Sequence, residues 1–537
     1  MPRRDPAASA ALLAAARRSV QAQRLDQALI QAQQAAECDP QNSEAFAYWG
    51  VSAAELGRFA DALSPLRIAA SRVPPGGVGW ANLTSQLARA LSNVGFWSEA
   101  CRSAAAVEQM APQDAPIRRR IGSAFARIGL IERGLPHVEW AALAAPQDAE
   151  AQFDLGVAYL SLGRSVDAED RLERAIALAA LWPRPHLALA SLRRWTSADA
   201  HVQRLTDLRA SAAVDAADRA ALGFALFKEL DDLGRYDDAW PILVEANEQA
   251  RVLEPPWSPE EDRALVDALI ERFPPALFDR PDGAAAQAGG ARTPIFVLGL
   301  PRSGTTLVER ILAAHSHIEA IGEAPSFPLL FRAASTAADR RELTAGVVAA
   351  TAGADWSEVG RRYLAETEYL AGGAAFTVDK LPLNSLLIGA LRLAFPGAPI
   401  VLLRRSPLDT LFSAYRVQFS GMYRWSCRLE DLAGHHANHA RLMAHWRSCL
   451  GDGLIEVSYE DLVTASEANV ARLLDACGLA FEAACLRPHE AAGAVRTASI
   501  AQVRRPISAT SISGWRRYAE ALEPLRARLA TLDPPED

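Results

Sequence analysis

The chain has 537 residues, enough for two or three domains, and its 50% hydrophobic content can fill real cores. A net charge of −8 and a pI near 5.8 argue against a general nucleic-acid binder. No apolar run approaches the roughly 20 residues needed to span a bilayer.

The start, M-P-R-R-D-P then A-A-S-A-A-L-L-A-A-A-R-R, imitates a signal peptide but lacks a cleavage region and runs on into helical text. Six cysteines, at 38, 101, 427, 449, 477 and 485, form no C-x-x-C pair and no metal spacing. Both features point to a cytoplasmic protein.

The first two hundred residues repeat. Pro40, Pro74, Pro112, Pro146 and Pro183 recur at intervals of 34, 38, 34 and 37, and Gly57, Gly95, Gly129 and Gly163 at 38, 34 and 34. Between them one theme returns: L-G-R-F-A-D-A, V-G-F-W-S-E-A, I-G-L-I-E-R-G, L-G-R-S-V-D-A. Glycine suits a tight turn between helices, and proline the repeat boundary. A period near 34 with these landmarks is the tetratricopeptide pattern. R-L-D-Q-A at 24–28 reads as a degenerate first repeat, and L-G-R-Y-D-D-A at 233–239 as a further one. Such stacks form concave grooves suited to a peptide or protein partner. An inert spacer and a homodimerisation arm are the alternatives. The expected division is a repeat array over 1–200, a helical connector with a repeat-like hairpin over 201–290, and a further domain over 291–537. The small, glycine-rich stretch 282–292 is the expected linker.

The most informative segment is 294–310, P-I-F-V-L-G-L-P-R-S-G-T-T-L-V-E-R. Ile295 to Leu298 reads as a buried strand, Gly299 to Gly304 as a tight loop, and Thr305 to Ala314 as a helix with Leu307, Ile311 and Ala314 on one face. Strand, glycine loop and helix aim backbone N–H groups at one anion. The spacing nearly fits G-x-x-x-x-G-K-[ST], but Thr305 stands where the lysine belongs and Arg302 lies inside the loop. That disfavours a P-loop kinase.

P-R-S-G-T-T-L resembles the 5′-phosphosulfate loop of sulfotransferases, enzymes that use 3′-phosphoadenosine-5′-phosphosulfate (PAPS) as co-substrate. The resemblance covers roughly residues 293–520. It is closest to the tyrosylprotein sulfotransferases and to bacterial proteins that join tetratricopeptide repeats to such a domain. It implies a parallel α/β, P-loop-like domain behind an α-solenoid, with Arg302, Ser303, Gly304, Thr305 and Thr306 on the 5′-phosphosulfate. In I-V-L-L-R-R-S-P-L-D-T-L-F-S, residues 400–413, it implies that Arg405 and Ser413 hold the 3′-phosphate.

Catalytic roles follow the same resemblance. Only two lysines occur, Lys228 and Lys380. In a chain that otherwise uses arginine, Lys380 in D-K-L-P-L-N marks a place for a compact ammonium. The resemblance puts it on the transferring group and the bridging oxygen. It implies Glu323, in I-G-E-A, as the base that takes the acceptor's proton. The related enzymes carry a Glu-Glu pair there, so the register is open by one residue. Tyr459 is implied near the nucleotide, and Ser499 and Arg505 in a late loop over it. Arg516 or Arg517 replaces a missing lysine. No metal is implied. The acceptor is a hydroxyl of a protein tyrosine, a sugar or a small alcohol or phenol. The alternative is a repeat scaffold whose C-terminal domain binds nucleotide without turnover.

Overall fold

The structure, a computed structural model, describes residues 4–196, 199–253, 255–278, 292–419, 421, 423–491, 493 and 503–532. Most of the expected linker and Ser499 lie outside them. The chain divides into two compact units, one up to Ala158 and one from Tyr159 onward.

The first unit is a stack of helices: α1 (Pro6–Gln21), α2 (Leu25–Cys38), α3 (Ser43–Glu55), α4 (Phe59–Ser71), α5 (Val78–Val94), α6 (Trp97–Glu108), α7 (Ala115–Arg127), α8 (Ile131–Ala144) and most of α9 (Ala149–Ser161). Helices pair within each repeat. The recurrent glycines sit in the turns inside the pairs with left-handed backbone, φ +73° at Gly57, +100° at Gly95 and +96° at Gly129. A side chain there would be strained, which explains the residue type at that period. The prolines fall between pairs: Pro40 before α3, Pro74 before α5, Pro112 before α7 and Pro146 before α9. Close packing also demands small residues. A Cβ on Gly134 would lie 2.5 Å from the carbonyl oxygen of Gly122, so α7 and α8 touch through backbone. This α-solenoid is the architecture that the 34-residue period announces.

The second unit begins with more helices: α10 (Ser165–Leu178), α11 (Pro183–Ser191), α12 (Asp199–Ala210), α13 (Ala216–Asp232), α14 (Tyr236–Arg251) and α15 (Pro259–Arg272). Gly234 turns α13 into α14 at φ +76°, in the repeat-like stretch 233–239. A parallel sheet follows, with strands β1 (Thr293–Gly299), β2 (Ile318–Gly322), β3 (Phe376–Lys380), β4 (Ile400–Arg404) and β5 (Ile455–Ser458) in the order β2-β3-β1-β4-β5. Among the intervening helices are α16 (Thr305–Ala313), α17 (Ser326–Ala334), α18 (Ala345–Ala349), α19 (Trp356–Thr367), α20 (Ile388–Ala394), α21 (Pro407–Tyr415), α22 (Leu429–Leu450), α23 (Tyr459–Thr464) and α24 (Ser466–Ala476).

The strands alternate between two buried faces. Ile295 and Val297 of β1 join Val308 and Ile311 of α16 and Leu473 of α24 in one core. Phe296, between them, meets Phe327 of α17, Tyr363 of α19 and Phe395 on the other side. Helices therefore cover both faces, as a parallel sheet requires. The central strand β1 pairs with β3 on one flank and β4 on the other. That reversal of strand order opens a crevice at the carboxyl ends of the strands.

The α13–α14 hairpin is part of this second core. Leu226, Phe227 and Leu243 pack with Leu411, Phe412, Tyr415, Leu432 and Tyr518. Asp231 pairs with Arg416 and accepts from the Tyr518 hydroxyl at 2.8 Å, and Asn247 Nδ2 donates to the Tyr415 carbonyl at 3.0 Å. A fragment beginning at Tyr159 should therefore be soluble and melt cooperatively. One beginning at Arg292 would expose Phe412, Tyr415 and Tyr518 and should aggregate. Equal solubility and equal melting temperatures of the two fragments would contradict this packing.

Candidate active site

The loop after β1 is shaped by backbone that few residues tolerate. Gly299, Arg302 and Gly304 have φ of +146°, +72° and +109°. A Cβ on Gly299 would sit 2.8 Å from the Leu403 carbonyl, and one on Gly304 would sit 2.5 Å from the Tyr459 ring. The loop is thus a cradle that a side chain would fill. Within it, Arg302 alone adopts left-handed backbone without being glycine, a strain of about 1–3 kcal/mol. Helix α16 starts at Gly304 with no side-chain cap, so its N–H end faces the loop. Ser303, Thr305 and Thr306 are buried there. The Ser303 hydroxyl has no hydrogen-bond partner among the described residues.

The two anion-binding segments expected from sequence meet. Arg302 Nε donates to Ser413 Oγ at 3.0 Å, and Arg405 Nη1 donates to the Arg302 carbonyl at 3.0 Å. Arg405 lies over the Tyr459 ring, 4.5 Å from its centroid, and also donates to the Ser511 carbonyl at 2.6 Å. Its Nε is buried with no partner among the described residues. Burial first, then the neighbouring Arg416 and Arg405, push the Arg302 guanidinium down to about 10. These cations crowd together over carbonyl and hydroxyl oxygens, an arrangement that favours an anion between them.

Lys380 ends β3 with its side chain buried, and its ammonium is bonded to Glu323, just beyond β2. A second carboxylate, Glu309 of α16, stands 3.7 Å from Nζ. Burial alone would lower the Lys380 ammonium, but Glu323 and Glu309 raise it above its ordinary value. Burial raises the Glu309 carboxyl, with Lys380 opposing. The preceding residue, Asp379, points into the other face and accepts from the Tyr363 hydroxyl at 2.7 Å. Tyr423 lies close enough for Glu323 to raise its phenol further, after burial, and its ring is 4.9 Å from that of Phe419. Glu323 itself is 41% exposed, the accessible carboxylate of the set.

The remaining residues near these segments are placed as follows. His315 is buried, with Nε2 3.0 Å from the Ala480 carbonyl, and His317 is exposed. Arg505 is exposed, whereas its neighbour Arg504 donates to the Ser161 carbonyl at 2.6 Å. Arg517 sits over the Tyr236 ring and Arg516 is exposed. The segment that reaches the loop is 511–515. Asp409 of α21 holds it by accepting from the Ser513 amide at 2.7 Å and the Trp515 amide at 3.4 Å.

Glu309, Asp379, Tyr363 and Asp409 went unnoticed in the sequence. Glu309 carried the one usable signal, a carboxylate next to Arg310 between the apolar pairs Leu307-Val308 and Ile311-Leu312. Among the described residues, no cluster of histidine, cysteine or carboxylate side chains could hold a metal ion.

Fold and site define an α/β domain whose central glycine loop, at the switch point of a parallel sheet, leads into an uncapped helix N-terminus. Residues 294–483 match the family model described as Sulfotransferase family, so the chain joins a sulfotransferase-family domain to a tetratricopeptide array. An uncharacterized protein of Aquifex aeolicus (strain VF5) is 31% identical over 372 residues, 67% of this chain and 48% of the relative. The chain thus spans about half the length of that curated relative. Two solved repeat structures are also similar. A thermophilic tetratricopeptide protein of Thermus thermophilus is 23% identical, covering 34% of this chain and 98% of that one at a TM-score of 0.29. MamA from Desulfovibrio magneticus RS-1 is 21% identical, covering 31% and 93% at 0.26.

The buried pair at Asp379 has a measurable consequence. Burial above all, with Glu309 adding to it against the Tyr363 bond and Lys380, pushes the Asp379 carboxyl up to about 8. An unfolded carboxyl ionises near 4. Between those values the folded chain holds a proton that the unfolded chain has lost, so this residue makes stability fall as pH rises. Asp379→Asn removes that slope. The melting temperature of the variant, relative to the parent, should climb from pH 5 to pH 8.5. A constant difference across that range would mean that Asp379 is already ionised in the fold.

Proposed function

We propose that the chain transfers a sulfuryl group from PAPS to a hydroxyl acceptor, with the repeats recruiting a polypeptide that bears or delivers it. The observation that carries this reading is the pairing of an accessible carboxylate, Glu323, with a buried ammonium, Lys380, at the strand ends beside the glycine loop. The residues fit the co-substrate. Gly299 and Gly304 leave room for an anion, the Ser303 hydroxyl lacks a partner among the described residues, and Arg405 and Ser413 supply donors for a second phosphate.

PAPS supplies an activated sulfuryl group, and its departure leaves adenosine 3′,5′-bisphosphate. Arg302 and the loop hold the 5′ end, while Arg405 and Ser413 hold the 3′-phosphate. Glu323 takes the acceptor's proton as that oxygen bonds to sulfur. Lys380 offsets the charge on the oxygen whose bond to sulfur breaks. Glu309 gains its meaning here. Once Glu323 is protonated, Lys380 loses its nearest counter-charge, and Glu309 keeps the ammonium charged and in place. The acceptor class stays a hydroxyl on a protein tyrosine, a sugar or a small alcohol or phenol. All six cysteines are unpaired, which supports a reducing, cytoplasmic setting.

Calorimetry tests the co-substrate. Adenosine 3′,5′-bisphosphate should bind far more tightly than ATP and without magnesium. Arg405→Ala should weaken it by about 2–3 kcal/mol, the scale of a lost charge-assisted contact. Equal or tighter binding of Mg-ATP would overturn the reading.

Radiolabelled transfer from PAPS to cell extract tests the chemistry and separates an enzyme from a nucleotide-binding scaffold. Glu323→Gln should cut turnover roughly 10²–10⁴-fold with bisphosphate affinity nearly intact. Glu309→Gln should lower turnover by about tenfold and move the alkaline limb of the rate profile to lower pH, because Lys380 then has one carboxylate fewer. An unshifted limb would show that Glu309 does not act through Lys380.

A further inference from the structure

The turn between α9 and α10 differs from other turns of its kind. Gly57, Gly163 and Gly234 share nearly the same left-handed backbone, with φ of +73°, +77° and +76°. A Cβ on Gly57 or Gly234 would meet nothing within 4 Å. A Cβ on Gly163 would lie 2.7 Å from the guanidinium carbon of Arg504. Backbone strain accounts for glycine at all three positions. At Gly163 the missing side chain also makes a seat.

Arg504 fills that seat. Its Nη2 donates to the Ser161 carbonyl at 2.6 Å, at the carboxyl end of α9, where a helix favours a cation. Val503, 7% exposed, packs on Leu160 beside it. Burial lowers the Arg504 guanidinium from its ordinary value, and no carboxylate pairs with it among the described residues. The next residue, Arg505, is exposed. All of these residues belong to the second unit.

A second observation lies further along the chain. Residues 504–515 form a strap that joins no strand and no α-helix among the described residues, so its course is set by where it is held. Ile507 packs against the core of the sheet. Asp409 takes the Ser513 and Trp515 amides at 2.7 and 3.4 Å. Between these holds, the Ser511 carbonyl accepts from Arg405 at 2.6 Å. Arg405 rests on two backbone carbonyls, those of Arg302 and Ser511, and the strap carries one of them.

We infer that Arg504 is a positioning residue for the anion site: seated on Gly163, it fixes the near end of the strap, so that Ser511 holds Arg405 toward the 3′-phosphate. The seven residues from Arg504 to Ser511 can span roughly 23–25 Å when extended. With the near end free, Ile507 alone would restrain that length ahead of Ser511. The α9–α10 turn thus has a reason to keep glycine that the turn at Gly57 lacks. The inference rests on the reading of Arg405 as a nucleotide ligand.

Three variants of the full chain test it. Gly163→Leu puts a side chain into the seat. Arg504→Ala empties the seat and leaves the turn alone. Gly57→Leu imposes the same backbone strain where no seat exists. Hydrogen–deuterium exchange over residues 503–512 should rise at least fivefold in Gly163→Leu and Arg504→Ala, and should match the parent in Gly57→Leu. Calorimetry with adenosine 3′,5′-bisphosphate should show binding at least fivefold weaker in the same two variants. The double variant should be no weaker than either, and Gly57→Leu should bind like the parent. If circular dichroism and melting show that Gly163→Leu does not fold, Arg504→Ala carries the test. Parent-like exchange or parent-like bisphosphate affinity in a folded Arg504→Ala overturns this inference alone. A parent protein that binds no bisphosphate overturns the nucleotide reading of Arg405 and this inference with it.

Discussion

A charged ammonium at the end of a central strand is the constraint around which the second unit is arranged. Lys380 is fully buried, and a lone buried charge of that kind would shed its proton or unfold its surroundings. The fold answers with two carboxylates from different elements. Glu309 comes from the helix that closes the glycine loop, and Glu323 from the end of the edge strand β2. Each of these elements is thereby fixed against β3. The accessible member of the trio is Glu323, so the pairing leaves one carboxylate open to the crevice and one closed off behind the lysine. Chemistry that must remove a proton on one side and stabilise an anion on the other needs that asymmetry.

The sheet order does the rest. Because β1 has β3 on one side and β4 on the other, the loop after β1 opens between them, and the ends of all five strands surround it. Arg302 and Ser413, 111 positions apart, are brought into hydrogen-bond contact. Arg405 bridges from β4 to the Arg302 carbonyl and then to Ser511. The C-terminal segment is tied down by Asp409, whose carboxylate accepts from two backbone amides, a stronger tether than a side-chain contact at the surface. Tyr459 closes the ring by lying against Gly304 and under Arg405. No single contact in this set is large. Their joint effect is to hold a left-handed arginine, which would otherwise relax, inside a loop of glycines.

Much of this was legible in the sequence, and the limits have physical reasons. The repeat glycines were readable because left-handed turns exclude nearly every other residue, so φ near +73° to +100° leaves its mark at a fixed period. The strand–loop–helix segment was readable for the same reason at Gly299 and Gly304. Glu309 was not, because a glutamate in an amphipathic helix normally faces water, and only the approach of β3 buries it. The late loop was legible only as a region. Irregular chain has no period, so nothing in the sequence showed that Asp409 would tie the 511–515 segment down by capturing Ser513 and Trp515. The repeat pattern at 233–239 told which helices form but not what they pack on. Partners for Leu226, Phe227 and Leu243 are set by apolar surface on α21 and α22, which no local pattern encodes.

Composition itself turns out to be a filter for function. With 56 basic residues and only two lysines, the chain has replaced lysine by arginine almost wherever a positive charge is enough. What remains can mark a site where a guanidinium does not fit, and Lys380 is that case. Lys228 donates within one helical turn to Asp232 at 2.6 Å and also to the Arg193 carbonyl, while Asp232 takes the Trp195 amide at 2.9 Å. Lys380 has little room, since α16 lies on one side and β2 on the other. Arginine at 380 would add a delocalised charge and two more nitrogens to a space that holds one nitrogen between two carboxylates. The geometry therefore selects a compact cation, a point charge held between the Glu309 and Glu323 carboxylates.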